Sequence, residues 1–372
     1  FVRCGTGLGA GPFVAPGLFG RAPYHEFRKR HFDIIHVHHP VLMGNVAWLL
    51  SRLHGVPLVF TWHTLYWHYL HYLPSMRRLE RLATSGRLGL ARALASRLHD
   101  WLRHKGVPGY LYWFAGQCDR VFTPSSSLND EVIKKLGAAK VETLPTGIPD
   151  FFFKNGTETA GRKKRATGLT FCTVSRLARE KNIGFLLRAV SEFRKRYRED
   201  LTFLVSGDGP KRQTVEEQAA KLECESCVLF LGNIANDELA EYYSSVSMFL
   251  FASKTETQGI VMLEAMASAT PVVAVDAPGV RDVVKDGYNG RLTSESVEEF
   301  AAALLDLAQD QAFRERASVR ARQRARQFSM SEIAARAEEV YSEAIARKRV
   351  ELGDDSQTVY ILPEAAGSDR TH

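Results

Sequence analysis

The sequence predicts an α/β protein made of two doubly wound domains, each built on a parallel sheet. Three observations carry this reading. The chain has 372 residues, 45% of them hydrophobic, which suffices for two domains with full cores. Apolar runs of strand length alternate with helical periods in both halves, and strict alternation implies parallel sheets with right-handed crossovers. The runs of the second half also end in loops rich in Gly, Ser and charged residues, at the edge where such sheets gather ligands.

In the first half, Asp33-Ile-Ile-His-Val-His38 and Pro57-Leu-Val-Phe-Thr-Trp-His63 read as buried strands, with a helical pattern from Val41 to Leu53 between them. The ligand side of this βαβ unit holds His38, His39 and His63. Three histidines at one edge invite a metal ion. Against that, no carboxylate accompanies them at ligand spacing, and His36 and His38 share a strand face where imidazoles can hydrogen-bond to backbone. His63 opens a loop of ring-bearing residues, Tyr66, Trp67, His68, Tyr69, His71 and Tyr72. Such rings suit a sugar face or a membrane interface, and equally an aromatic patch packed on the next helix.

From Met76 to Lys105 the chain carries Arg77, Arg78, Arg81, Arg87, Arg92, Arg97, Arg103 and Lys105 against Glu80 and Asp100. Leu79, Leu82, Leu90, Leu94, Leu98 and Trp101 recur near helical spacing, interrupted at Gly86 and Gly89. A basic amphipathic helix suits an anionic membrane surface, and equally a solvated helix whose leucines face the core. Asp119 to Pro124 and Val141 to Gly147 continue the alternation, and Asn155 to Gly168, with the run Arg162-Lys-Lys-Arg165, reads as a linker.

The second half begins with a strand at Leu169 to Ser175. Helix Ile183 to Tyr197, strand Leu201 to Val205, helix Arg212 to Lys221, strand Val228 to Leu231 and helix Asp237 to Val246 follow. A strand at Met248 to Phe251 then leads into the central stretch, Ser253-Lys-Thr-Glu-Thr-Gln-Gly-Ile-Val-Met-Leu-Glu-Ala-Met-Ala267, and another strand starts at Pro271. Glu256 falls in the loop, Glu264 on the helix, and Gly259 at the joint where free backbone amides, with those of Ile260 and Val261, meet the strand edge. An anion wants the amides and a polyol wants the carboxylates, so a nucleotide sugar answers to both. Ser175-Arg176, the turn Gly207-Asp208-Gly209, Gly232-Asn233 and Ser253 to Gly259 all end strands and so line one crevice. Arg176 and Lys181 place two cations at its mouth, where a guanidinium and an ammonium can clamp a diphosphate. Charged helices at Val297 to Leu307, Gln311 to Gln327 and Ser331 to Lys348 complete the chain before a polar tail.

The formal charge of +7 and a pI near 9.1 favour an acidic partner without choosing among nucleic acid, anionic lipid and phosphorylated substrate. Five scattered cysteines argue for a reducing compartment, and Cys224-Glu-Ser-Cys227 reads as two half-buried thiols. No run approaches the ~18 to 20 apolar residues of a membrane span, so membrane contact is expected to be peripheral. Gly5-Thr-Gly-Leu-Gly9 lacks a preceding strand and reads as a flexible linker.

Taken together, Ser175-Arg176 to Lys181, Gly207-Asp-Gly-Pro210, the pair Glu256 and Glu264, and Pro271-Val-Val resemble the retaining GT-B glycosyltransferases of family four. The resemblance spans roughly residues 25 to 345. Glu256-Thr-Gln-Gly-Ile-Val and His63-Thr-Leu-Tyr look most like the bacterial diacylglycerol glucosyltransferases, whose Gln258 stands where an aromatic is usual.

The resemblance implies two Rossmann-like domains facing a cleft: an acceptor-side domain at 1–150 and a linker at 151–168, then a nucleotide-sugar-binding domain at 169–328. A helix at 329–351 would return toward the first domain, and 352–372 would form a flexible tail. It further implies that Arg176 and Lys181 hold the diphosphate, Glu264 the ribose, Glu256 the sugar hydroxyls, and that His63 faces the sugar across the cleft. No metal and no cofactor beyond the nucleotide-sugar donor, here UDP-glucose, is expected. The acceptor is expected to be a lipid or glycan, reached through Tyr66, Trp67, Arg77, Arg78 and Arg81 at the inner face of the cell membrane, in the cytoplasm. The family's opening strand and glycine loop are expected to lie outside this sequence. A mannosyl or other hexosyl transferase acting on phosphatidylinositol or polysaccharide is the alternative. A basic, non-catalytic nucleic-acid-binding protein is favoured by pI alone, and no nucleic acid is expected.

Overall fold

The computed structural model describes residues 9–10, 13–14, 21–68, 76, 79, 81, 89–154, 168–197 and 200–353. Arg77, Arg78, residues 5–8 of the glycine run, the basic run at 162–165 and the tail from 354 lie outside the described residues. The short strands β1 (Gly9–Ala10) and β2 (Phe13–Val14) pair antiparallel. Four parallel strands then form one sheet in chain order: β3 (Ile35–Val37), β4 (Leu58–Thr61), β5 (Arg120–Thr123) and β6 (Val141–Thr143). A second parallel sheet has the order β12-β11-β10-β7-β8-β9. It is made of β7 (Leu169–Val174), β8 (Leu201–Ser206), β9 (Val228–Gly232), β10 (Met248–Phe251), β11 (Val272–Val275) and β12 (Gly290–Thr293). Two parallel-sheet α/β domains are therefore present, as the alternation predicts.

The strand runs are apolar at consecutive positions because both sheet faces are covered. Every residue of β4, β10 and β11 is buried. In the second sheet, Phe171, Phe203 and Leu250 point to one core and Cys172, Phe249 and Ala274 to the other. In the first sheet the same alternation sends Leu58, Phe60 and Val121 toward helices Met43–His54 and Val107–Gln117, and Val59 and Phe122 to the opposite face.

That opposite face is covered by the last helix, Met330–Leu352, through Val340 and, half-buried, Ile333, Ala337 and Tyr341. Arg336 with Glu142, Arg120 with Glu343 and Lys348 with Asp119 pin it along its length. The chain thus crosses between domains twice, and the crossings lie side by side. The Ile148 amide donates to the Phe328 carbonyl at 2.7 Å, and the Met330 amide donates to the Ile148 carbonyl at 2.8 Å.

The basic amphipathic pattern before Lys105 takes a form that periodicity alone leaves open. Helix Gly89–Trp101 runs into a π-helical turn, Leu102–Gly106, and on into Val107–Gln117. Leu94, Leu98 and Trp101 are 59%, 48% and 54% exposed, so these apolar residues face outward and the core-facing alternative is set aside.

One substitution made at two places on the last helix tests its packing. Val340→Ala removes about two methylene equivalents from the core and should cost about 1 to 2 kcal/mol. Val350→Ala, at a position 78% exposed, should leave the unfolding midpoint unchanged. Equal midpoints for the two variants in thermal unfolding would show that the helix does not carry this face.

Candidate active site

In the six-stranded sheet the chain runs outward from β7 through β8 to β9, then returns to the other side of β7 at β10. Strand order reverses between β7 and β10, and a doubly wound sheet opens its ligand crevice at that point. The loops leaving these two strands meet there. Lys181, in the short turn Arg179–Lys181 after β7, forms an ion pair with Glu256 from the loop after β10. Both side chains are about one-fifth exposed, Lys181 at 21% and Glu256 at 20%. Arg176, at the end of β7, reaches Glu180 at 2.8 Å and stays 47% exposed at the mouth.

The turn after β8 presses on the loop after β7. Ser175 and Leu177 donate backbone bonds to the carbonyls of Ser206 and Asp208 at 3.1 and 2.9 Å. Gly207 has φ 118°, and a Cβ there would collide with the Ser175 carbonyl, so only glycine lets the two loops approach. Asp208 accepts from the Gly209 amide at 2.7 Å, and Asn233, exposed, follows the Gly232 carbonyl that accepts from the Gly207 amide at 2.6 Å. Helix Ile260–Ala267 starts immediately after Gly259, which places the first-turn residues Ile260 and Val261 beside the crevice. Glu264, on that helix, accepts from the Tyr243 hydroxyl at 3.2 Å. Burial raises its carboxyl pKa, and the Tyr243 bond offsets part of that rise.

Across the cleft, His63 stands at the end of β4 with its ring stacked on His38 at 5.0 Å, the two joined by a 2.8 Å bond between His38 Nδ1 and His63 Nε2. His36 lies tilted against His38, ring centroids 4.3 Å apart, and bonds Tyr341 and Thr61 through its two ring nitrogens, each at 2.6 Å. Side chains rather than backbone groups therefore hold these imidazoles, which corrects the backbone-bonded expectation. Burial, then the neighbouring imidazoles, lowers the His63 pKa to about 4 and that of His36 to about 3. Among the described residues no group of three or more His, Cys, Asp or Glu could hold a metal ion.

Tyr69, His71 and Tyr72 of the aromatic loop lie outside the described residues, while Tyr66 and Trp67 are half-buried. Trp67 meets buried Trp62 edge-on at 6.4 Å, and Tyr66 meets His39 at 5.5 Å. Burial pushes the Tyr66 hydroxyl up to about 12. Arg81 is exposed. Cys224 and Cys227 are buried more deeply than the half-buried reading, at 1% and 5% exposure.

Some residues had no individual signal in the sequence. Gly279 lies behind the central loop, where a Cβ would collide with the Glu256 carbonyl. The Thr257 hydroxyl donates to the His63 carbonyl at 2.8 Å, and the Gln258 side chain binds the backbone of Thr146. His38, expected at the ligand edge, directly follows β3 and meets His63, two residues past the end of β4.

The geometry offers an anion two cations and a glycine turn, and offers hydroxyl groups two carboxylates. Residues 157–324 match the family described as Glycosyl transferases group 1, and residues 10–150 match Glycosyltransferase Family 4. The chain belongs to the GT-B glycosyltransferases. An alpha-monoglucosyldiacylglycerol synthase of Acholeplasma laidlawii is 27% identical to this glycosyltransferase over 301 residues, covering 79% of this chain and 71% of that protein. A D-inositol 3-phosphate glycosyltransferase of Kineococcus radiotolerans is 29% identical over 366 residues, 92% of this chain and 78% of that one. In fold, the glycosyltransferase resembles HepE of Anabaena in complex with UDP-glucose, with a TM-score of 0.65 at 21% identity over 87% of this chain and 82% of that one.

The lowered histidine pKa values set a pH dependence of stability. Unfolded imidazoles titrate near 6.5, while His63 titrates at about 4 when folded, so the unfolded chain binds more protons below about 6.5. Stability should therefore fall on acidification from near neutrality to about pH 4, and His63→Gln should make that fall shallower. Melting temperatures across this range check it; parallel wild-type and variant curves would refute it.

Proposed function

We propose that this glycosyltransferase moves a hexose, glucose from UDP-glucose, to a lipid acceptor such as diacylglycerol, with retention of anomeric configuration and without a metal ion. The observation that carries the reading is the Lys181–Glu256 ion pair at the strand-order reversal, with Glu264 on the helix that follows the same loop and the His63 carbonyl bonded to Thr257 of that loop. In this reading Arg176 and Lys181 take up the charge that grows on the diphosphate as it leaves, which is the role a metal would otherwise fill. The carboxylate of Glu264 accepts from the ribose hydroxyls and that of Glu256 from the sugar hydroxyls. The amides after Gly259, the Gly207-Asp208-Gly209 turn and Asn233 line the donor. His63, held uncharged at neutral pH, contacts the sugar near the reacting carbon, and attack comes from the face the leaving group departs.

The acceptor side of the proposal rests on the outward-facing Leu94, Leu98 and Trp101, which share their helix with Arg97 and continue into Arg103 and Lys105. Apolar side chains ringed by cations suit the boundary of an anionic leaflet. We place the enzyme there, on the cytoplasmic side, with Tyr66, Trp67 and Arg81 toward the acceptor. No helix among the described residues is long and apolar enough to cross a membrane. The activity named for the Acholeplasma laidlawii relative supports a diacylglycerol acceptor, and that named for the Kineococcus radiotolerans relative, which covers more of this chain, supports an inositol phosphate.

Transfer from UDP-glucose to diacylglycerol in anionic vesicles tests the chemistry. Glu256→Ala, Glu264→Ala and Arg176→Ala should each slow turnover by about tenfold to a hundredfold, the worth of one hydrogen bond to a charged group. Wild-type turnover in all three would sink the assignment, and transfer to D-inositol 3-phosphate alone would move the acceptor to the second reading. Flotation with vesicles addresses the membrane face: Leu98→Asp and Trp101→Asp should both reduce binding, and rising salt should release the wild type. Binding that ignores salt and both substitutions would overturn that face.

A further inference from the structure

We infer that Thr257 and Gln258 form a latch between the two domains, holding the central loop against the first domain as positioning residues that do not touch the donor. Gln258 is 3% exposed. Its Oε1 accepts from the Thr146 amide at 2.7 Å, and its Nε2 donates to the Thr146 carbonyl at 2.9 Å. Both polar ends of one side chain are thus satisfied by the backbone of one residue in the other domain, as a neighbouring strand would satisfy it. Only a group carrying an acceptor and a donor on one carbon can do this. A phenylalanine supplies neither, a methionine only a weak acceptor, and an ionised carboxylate no donor.

Thr257 makes the second fastening, donating its hydroxyl to the His63 carbonyl at 2.8 Å. The two residues occupy the whole interval between Glu256 and the amide following them at Gly259, so they set where the carboxylate sits relative to His63. Thr146 is also two residues from Ile148, at the paired crossing between domains. A fastening close to the pivot fixes the angle of the cleft, and the one at His63 fixes its width. Loss of the Gln258 side chain would leave the half-buried amide and carbonyl of Thr146 without these partners, so the closed arrangement depends on it. Gly279, packed against the Glu256 carbonyl, supports the loop from behind.

The latch's effect on turnover presupposes the transferase reading above, whereas its effect on the cleft does not. Hydrogen exchange at the Thr146 amide reads the cleft directly. Gln258→Met, of nearly the same shape, should speed that exchange by about tenfold and lower kcat by about tenfold, on the scale of one or two neutral hydrogen bonds. Its Kd for UDP-glucose, measured by calorimetry, should stay within about twofold because every group assigned to the donor except His63 lies on the second domain. Thr257→Val should lower kcat less and leave exchange at Thr146 unchanged.

Gln258→Glu gives a further test. A protonated carboxyl again offers one acceptor and one donor, so this variant's activity relative to wild type should recover as pH falls and drop as the carboxyl ionises. Comparison with wild type at each pH cancels the pH response of the rest of the site, His63 and Glu264 included, beside the charges of Lys181 and Glu256. Unchanged exchange in Gln258→Met, wild-type kcat despite faster exchange, or a Gln258→Glu ratio that ignores pH would each overturn the latch. Faster exchange in an enzyme that transfers no sugar at all would keep the fastening and sink the transferase reading instead.

Discussion

The paired crossing of the chain at Ile148 and Ser329 is the constraint on which the rest of the structure depends. Backbone bonds join the two passes directly, from the Ile148 amide to Phe328 and from Met330 back to Ile148. The last helix must therefore leave the second domain where the first domain ends, and it lies across the sheet face that Val59 and Phe122 would otherwise expose. The first domain is consequently completed by residues from the far end of the sequence. Its Thr61 and the C-terminal Tyr341 are linked through His36, so even the histidine row at the cleft depends on that return. Two sheets joined by a single strand would be free to turn. Two passes bonded side by side leave fewer ways to move and bring the C-terminal edges of both sheets face to face.

What meets at those edges is set by loop packing at the reversal of strand order. Lys181 and Glu256 come from loops on opposite sides of that reversal, and each is only about one-fifth exposed, so their attraction is less screened than that of a surface pair. Such a pair adds little net stability once the cost of removing both charges from water is counted. Its value to a transferase is geometric, because a cation and a hydroxyl acceptor stand fixed before any donor arrives. Glu264 is held differently. Its helix fixes the backbone, the Tyr243 hydroxyl fixes one oxygen, and burial makes a further hydroxyl donor favourable.

Local pattern was enough for the sheets and for the crevice. Continuous apolar runs such as Met248 to Phe251 announce strands covered on both faces, and glycine, serine and charge at their ends mark the ligand edge. Glu256, Glu264, Arg176 and Lys181 were legible for that reason, since each lies within a few residues of a strand end or a helix start. The contacts that close the molecule were not. Gln258 reads in the sequence only as a polar residue where an aromatic is usual, and its partner Thr146 lies 112 positions away. Tyr341 reads as a helix residue on a charged segment, and its partner His36 is 305 positions distant. The outward turn of Leu94, Leu98 and Trp101 was hidden too, because helical spacing shows that a stripe exists without showing which way it faces.

His63 brings these threads together. Its ring is held by His38, its carbonyl by the Thr257 hydroxyl, and its strand by the Trp62 amide, which donates to Phe122 at 2.8 Å. The ring bond restricts its chemistry. Two imidazoles that share one hydrogen bond need one bare nitrogen between them, so the proton on His38 decides which nitrogen of His63 can donate. Two positive charges on stacked rings would repel, and burial already disfavours one, so His63 stays neutral at ordinary pH. In the proposed reading, a neutral ring beside the sugar would accept from a hydroxyl or donate to one without drawing the diphosphate away from Arg176 and Lys181. One cleft thus sets half-buried His36 and His63 beside the exposed His38 on one wall and an ion pair on the other, with a two-residue fastening between them.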